Sequence, residues 1–539
     1  MTNYHRITFA PVQGFIQKSR KLRDLDGSSL ILSFLAASIC KPYKEADRVI
    51  LPATIDIARG VPNQIVIKGE VSETEIRTLF NNAWTAIVKT CQKYIEDRLP
   101  DTQFDWNREW NYCCKYSWEL FYACGTDFDS AKSAIASRKQ SRNWVGINWT
   151  GESSSLSGAD AIAWNQMCSH KPTDSIPRAK IDEFYEHLRA ALPDTIIDER
   201  ERLSIPELIK RLITLPVVRD RLKEKYSNLP QIERLDTFGD LNRLDRETTE
   251  PSRWTGWFMG DGDRAGTYLD WVRAANGDNP DTAIYNFSES MAKWSEGLQS
   301  QLPIAIPRIR EDGRIVYAGG DDFLGVLYRN APALPLQMSE CFDQFWYRFP
   351  EVWRKHEQEK LTVSVGFVWA APNVPQRDVL QHCRLAEKSA KSAGRDRLAI
   401  RILFKNGNHL EWCCPWWCLE EILTVYKDRS KGKNWTHFHD DIAKLESHHS
   451  INDRSSDVAI AIFKIYFRAE IWEIINHNLW NKKPENEEIN YFDSAASKVE
   501  IRAGILGDRP ETLKEETQRI NDWIVALSKV GFHIFADWS

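Results

Sequence analysis

The 539-residue chain carries no surplus of positive charge. Its 71 lysines and arginines stand against 76 aspartates and glutamates, a formal charge of −5. A freestanding nucleic-acid binder usually has a basic excess, so any such contact must be local or shared with partners. Long hydrophobic runs are missing too. The longest largely apolar stretch, Ser28 to Cys40 (SSLILSFLAASIC), is too short and too rich in serine to span a bilayer. The opening residues, MTNYHRITFAPVQG, lack the basic region and apolar core of a signal peptide. No CxxC occurs among the 11 cysteines, whose only adjacent pairs are Cys113-Cys114 and Cys413-Cys414. A reduced compartment is expected, hence a cytoplasmic location without a membrane, with the cysteines as core packing. No short repeat or low-complexity tract interrupts the chain. Its 42% hydrophobic and 27% charged residues are ordinary for a folded protein. At about 150 residues per domain, the length suggests three or four domains.

Four segments can be told apart. The first, 1–150, opens with a strand pattern (Tyr4 to Ala10), a helical stretch (Val12 to Cys40), and strand-like runs Arg48 to Ile57 and Gln64 to Lys68 around the Gly60-Val61-Pro62-Asn63 turn. An amphipathic helix from Ser72 to Arg98 follows. The second, 151–250, is polar at its start (GESSSLSG) and then mostly helical, clearest over Ile205 to Leu215. Its charged end, Arg219 to Glu250, reads as solvated surface or linker.

The third segment, 251–411, is the most informative. Trp254 to Gly260 is a strand candidate, Ala283 to Leu302 a helix, and Arg314 to Ala318 with Phe323 to Tyr328 a hairpin around Gly319-Gly320-Asp321-Asp322. A helix over Leu336 to Lys360 and a strand over Leu361 to Ala370 complete β-α-β-β-α-β, the ferredoxin-like order. A further helix (Gln376 to Ala393) leads to a last strand, Arg397 to Phe404. The fourth segment, 412–539, has helical periodicity throughout and reads as a bundle. The first and third segments share a strand and helix order, a hint of duplication.

Two acidic motifs fall where this topology joins them. Asp261-Gly262-Asp263 ends the first strand of the third segment, and Asp321-Asp322 sits at the tip of the neighbouring hairpin. Four carboxylates in one patch repel, and one must take up a proton unless cations intervene. Mg²⁺ prefers one or two carboxylates plus phosphate oxygens. Two divalent ions about 3.5–4 Å apart can activate a hydroxyl and stabilise a leaving pyrophosphate. Gly262, Gly319 and Gly320 leave room for a triphosphate beside the backbone. Each motif alone is also ordinary turn composition; their conjunction on the right elements favours metal. Lys391 ends a helix stopped by Gly394, where it either reaches phosphates or complements the helix dipole.

The pairing of DGDRAG (Asp261 to Gly266) with YAGGDDF (Tyr317 to Phe323) resembles nucleotide-cyclising palm domains. Ala390 to Arg397 (AKSAGRDR) is similar to the AKxxGRNR pattern of diguanylate cyclases, but Asp322 stands where their GGDEF signature has glutamate. GGDD instead resembles the large palm-domain subunit of type III CRISPR effector complexes. Phe15 to Leu25 followed by Gly27-Ser28, the GVPN turn, and Glu201-Arg202-Leu203 with Lys210-Arg211-Leu212 are similar to other parts of that family.

The resemblance implies an α+β chain: two ferredoxin-like palm domains, an intervening helical domain and a C-terminal helical bundle. It implies that the second palm joins ATP into cyclic oligoadenylates when the complex binds target RNA. Carried over by residue, Asp261 and Asp322 hold Mg²⁺ or Mn²⁺ with Asp263 and Asp321 assisting. Gly262, Gly319, Gly320 and Lys391 then lie against the nucleotide, and Ser28 and Ser29 frame a second ATP. Guide RNA, target RNA and other subunits are the implied partners. An HD nuclease is not expected, because no early His-Asp dyad occurs. A structural zinc is not expected either, since Ser153 to Gly158 stands where many members have a cysteine-rich motif. His437-Phe438-His439-Asp440-Asp441 reads as a solvated loop, and Cys413-Cys414-Pro415-Trp416-Trp417-Cys418 as packing. Two other functions stay open. One is a silent scaffold that contacts guide RNA through Lys18, Arg20, Lys21 and Arg23; the other is a freestanding cyclase acting on GTP.

Overall fold

The computed structural model describes residues 3–142, 146–147, 149, 151–169, 178–193, 196–232, 253–277, 279–301, 313–329, 336–341, 361–429, 435–481 and 503–535. The chain divides into two compact units, Met1–Leu241 with Asn279–Ala292, and Asn242–Asp278 with Lys293–Ser539.

The first unit is built on a four-stranded antiparallel sheet. Its elements run β1 (Tyr4–Ala10), α1 (Val12–Gln17), α2 (Leu22–Lys44), β2 (Val49–Leu51), β3 (Ile65–Lys68), α3 (Glu73–Arg98), α4 (Asn107–Tyr116), β4 (Glu119–Gly125) and α5 (Phe128–Gln140). The strand order β2-β3-β1-β4 is ferredoxin-like. Three boundaries differ from the sequence expectation. The helical stretch breaks at residues 18–21, the run Arg48 to Ile57 keeps only three strand residues, and β4 closes a sheet whose fourth strand the periodicity did not reveal. Helices α6 (Arg178–Ala191), α7 (Ile205–Leu212) and α8 (Pro216–Lys225) follow, so the charged run beginning at Arg219 starts inside a helix. Helix α7 lies so close to α2 that a Cβ on Gly27 would stand 1.8 Å from the Lys210 carbonyl oxygen. Arg211, fully buried, ties the two: it donates to Asp24 at 2.7 Å and to Glu201 at 2.5 Å.

The second unit carries a six-stranded sheet in the order β10-β9-β8-β5-β7-β6. Its strands are β5 (Thr255–Gly262), β6 (Arg314–Gly319), β7 (Asp322–Leu327), β8 (Val363–Ala370), β9 (Arg397–Leu403) and β10 (His409–Pro415). The four strands β8-β5-β7-β6 repeat the ferredoxin-like order; β9 adds in parallel to β8, and β10 antiparallel to β9. Every residue of β8 and β9 is buried, as expected of sheet strands covered on both faces. The helices are α9 (Ala265–Ala275), α10 (Pro280–Gln301), α11 (Met338–Cys341) and α12 (Gln376–Ser392). The division between units falls inside α10. The helix expected over Leu336 to Lys360 lies mostly outside the described residues.

Helices α13 (Trp416–Val425), α14 (Thr436–Ser447), α15 (Asp457–Phe467), α16 (Ala469–His477) and α17 (Leu513–Phe535) form the C-terminal part. Its core is aromatic: Trp435 stacks on Tyr426 at 4.3 Å and on Phe535 at 5.2 Å. The chain from residue 412 is therefore not helical throughout, because Trp412 to Pro415 complete β10. No helix among the described residues is long and apolar enough to cross a membrane.

Candidate active site

Three of the four expected carboxylates meet at one end of the second sheet. Asp261 is the penultimate residue of β5, and the β6–β7 hairpin sits alongside in register, with Gly260 opposite Phe323. The hairpin closes through Gly320 and Asp321. Gly320 sits at φ +72°, where a side chain would be strained. The Gly262 N–H donates to the Asp321 carbonyl at 3.1 Å. A Cβ on Gly262 would lie 2.9 Å from the Cβ of Asp321, so this glycine lets the two motifs close on each other.

Electrostatics at this junction are those of crowded acids. Burial and then the Asp261 carboxylate, which also shares a hydrogen bond with it, push the Asp321 carboxyl up to about 8. Burial, Asp261 and Glu387 push Asp322 up to about 7, against the opposing pull of Tyr317 and Lys391. The Tyr317 hydroxyl faces both Asp322 oxygens at 3.3 and 3.4 Å.

Lys391, in the last turn of α12, reaches Asp261 at 2.5 Å and Glu387 at 2.6 Å. The helix comes this near because β8 has no side chain at Gly366. A Cβ there would stand 2.3 Å from the Glu387 nitrogen. Glu387 and Tyr317 were not singled out from the sequence. The signal for Glu387 was its i, i+4 spacing to Lys391. Tyr317 lies two residues before Gly319 on the same strand.

Asp263 does not join the cluster. It is 4% exposed, and both of its oxygens are engaged. Ser364 donates to Oδ1 at 2.7 Å; Thr362 and the Asp396 N–H both donate to Oδ2 at 2.9 Å. The Asp-Gly-Asp motif thus splits into one carboxylate facing the hairpin and one locked to β8 and the turn after α12.

The remaining donors suit a hard divalent cation. Among the described residues no three His, Cys, Asp or Glu side chains form a ready chelating cage. Mg²⁺ does not need one, because it takes one or two carboxylates and completes its shell with water and phosphate oxygens. Asp261 crowds Asp321 and Asp322, whose carboxyls are both raised towards neutrality, the condition a cation relieves.

Residues 255–399 match the family model of the Cas10/Cmr2 second palm domain, which spans the whole cluster. The chain resembles the large palm-domain subunit of type III CRISPR effector complexes. Residues 4–115 match the model of the N-terminal part of CRISPR-associated protein Cmr2. Among solved structures, a type III-B Cmr-beta complex in its apo state is similar at a TM-score of 0.55 and 12% identity, over 87% of this chain and 77% of that one. An apo Csm1-Csm4 cassette is similar at 0.47 and 12%, over 99% and 70%. The same cassette with cA4 gives 0.44 and 13%, over 99% and 70%. No curated protein matches the chain.

The other candidate residues of this Cas10-like chain sit in different settings. Ser28 is fully buried, and its hydroxyl donates to the Asp24 carbonyl of its own helix at 2.6 Å. Ser29 is half-buried beside it. The basic stretch is largely engaged: Lys18 pairs with Asp160 at 3.0 Å, Lys21 with Asp198 at 2.8 Å, and buried Arg23 donates to Thr214 at 2.8 Å. Arg20 is exposed. The Ser153 to Gly158 loop is organised by buried Glu207, which accepts from the Ser154 hydroxyl and the Ser157 N–H, each at 3.1 Å. His437 to Asp441 is not a loop but the start of α14; His437 faces buried Asp428 at 2.6 Å, and Asp441 accepts from Tyr466 at 2.6 Å.

Proposed function

We propose that the chain is the metal-dependent cyclic oligoadenylate synthetase of an RNA-guided type III complex, acting on ATP when target RNA binds. The observation that carries this reading is the convergence of Asp261, Asp321 and Asp322, with two of the three carboxyls raised towards neutrality. The match of residues 255–399 to a Cas10/Cmr2 palm domain supports it. Asp261 and Asp322 are the proposed metal ligands, with Asp321 assisting. Cations bound there would activate the attacking 3′-hydroxyl and neutralise the leaving pyrophosphate. Gly319 and Gly320 give the triphosphate access to the backbone, and Gly262 keeps the acid pair in register. Lys391, already paired with Asp261, is placed to turn its ammonium to a phosphate as a point charge. Asp263 supports the cluster from behind through β8 and the turn after α12.

The scaffold alternative drew on the basic stretch, and the pairing of Lys18, Lys21 and Arg23 within the first unit removes most of that support. The test uses the chain assembled with its partner subunits, ATP, Mg²⁺ or Mn²⁺ and matching target RNA. Cyclic adenylates on chromatography, lost in Asp321→Ala and Asp322→Ala, are the expected result. Linear background that neither substitution changes contradicts the proposal. GTP as sole substrate separates the freestanding-cyclase reading.

A further inference from the structure

The backbone after Lys391 turns in an unusual way. Gly394, Arg395 and Asp396 lie in succession at φ +126°, +66° and +48°, the only run of consecutive positive values among the described residues. Non-glycine residues hold such conformations only where their surroundings over-determine them. On one side the Asp396 N–H donates to Asp263 at 2.9 Å. On the other lies a C-terminal segment, residues 478–481 and 503–508.

Arg397 makes the connection. Its guanidinium is fully buried and serves three carbonyls: Arg395 at 2.8 Å, Ile505 at 2.9 Å and Gly504 at 2.7 Å. Asn481 braces the segment, accepting from the Gly504 N–H at 2.8 Å and donating to Asp508 at 2.9 Å. Its own N–H donates to Gly507 at 2.8 Å. The backbones nearly touch: a Cβ on Gly507 would stand 2.4 Å from the Ala393 oxygen. A buried guanidinium whose donors meet carbonyls on both chain segments fixes their spacing, since leaving one unpaired is costly.

We infer that residues 478–481 and 503–508 are a positioning element of the active site, acting through Arg397. They hold the strained turn that presents the Asp396 amide to Asp263 and terminates the helix bearing Lys391. A displacement of this segment therefore reaches Asp263 and Lys391 together, which gives the C-terminal part a route to regulate the site. The inference rests on the proposed function for its consequence, not for its geometry.

The test uses the full chain and three substitutions outside the carboxylate cluster: Asn481→Ala, Arg397→Lys and Gly507→Ala. Two quantities are read: amide hydrogen exchange of residues 394–397, and affinity for Mn²⁺ alone. Exchange at 394–397 is expected to accelerate about tenfold in Asn481→Ala, with Mn²⁺ affinity about tenfold weaker, the scale seen when supporting residues of a metal site are removed. Asp508→Ala leaves the Gly504 N–H bonded to Asn481 and should retain most of the protection. Faster exchange confined to 503–508, with 394–397 protected as in the wild type, would overturn the inference. If the wild-type chain binds no Mn²⁺, the functional proposal fails, and the exchange data still decide the positioning role. Should Arg397→Lys fail to fold, Asn481→Ala and Gly507→Ala carry the test.

Discussion

Asp321 is held up to about 8 by burial and by the Asp261 carboxylate beside it, against about 4 for a free aspartate. Between those values the folded chain keeps a proton that the unfolded chain has released. Its contribution to stability therefore falls as the pH rises from about 4 to about 8. Asp321→Asn abolishes that loss. In metal-free buffer its melting temperature should gain on the wild type between pH 5.5 and pH 8.5, and parallel curves would contradict the electrostatic picture. Mn²⁺ must displace these protons, so it should raise the wild-type melting temperature more at the higher pH. Lys391→Ala removes the point charge offered to phosphate and should lower turnover about a hundredfold, with a smaller change in Mn²⁺ affinity, by steady-state kinetics and metal titration. Asp263→Asn leaves one amide oxygen to accept either from Ser364 or from Thr362 and the Asp396 N–H, so one side loses its acceptor. It should cost about 1–3 kcal/mol of stability by urea denaturation, while Asp261→Asn mainly weakens metal binding. The sequence made Asp261 and Asp263 look equivalent. Their roles part because Thr362 and Ser364, about a hundred positions away, capture the second carboxylate, and no local pattern announces such partners.

The hairpin and α12 bring the cluster together, and both were readable in advance. Gly-Gly-Asp-Asp between two apolar runs marks a tight turn, and the amphipathic stretch ending at Lys391 marks a helix. How closely α12 approaches the sheet was not readable, because it depends on Gly366 meeting the helix backbone at Glu387. Gly366→Ala should push α12 away, cost about 1–3 kcal/mol by urea denaturation, and weaken the hold of Lys391 on Asp261. An unchanged midpoint would show that the helix shifts freely. Strands β4 and β10 escaped the sequence reading for related reasons. Glu119–Gly125 (ELFYACG) and His409–Pro415 (HLEWCCP) do not alternate cleanly, and each is defined by a partner strand, β1 and β9 respectively.

Both units use one strand order, yet only the second ends its first strand in acids. In the first unit β1 runs into Pro11-Val12-Gln13, and its sheet carries no counterpart of the Gly-Gly-Asp-Asp hairpin. The repeated order was visible as a shared succession of elements, but the divergence in chemistry rests on a handful of residues at strand ends. The Cas10/Cmr2 second palm match, residues 255–399, includes all the carboxylates of this cluster. Whether these carboxylates form a cation site can be settled by titrating the full chain with Mn²⁺ and a non-hydrolysable ATP analogue, following the free ion by electron paramagnetic resonance. Saturable binding in the wild type, abolished in Asp261→Asn and Asp322→Asn but only about tenfold weaker in Asp263→Asn, is the expected outcome. Equal binding by all four proteins, or none by the wild type, would contradict it.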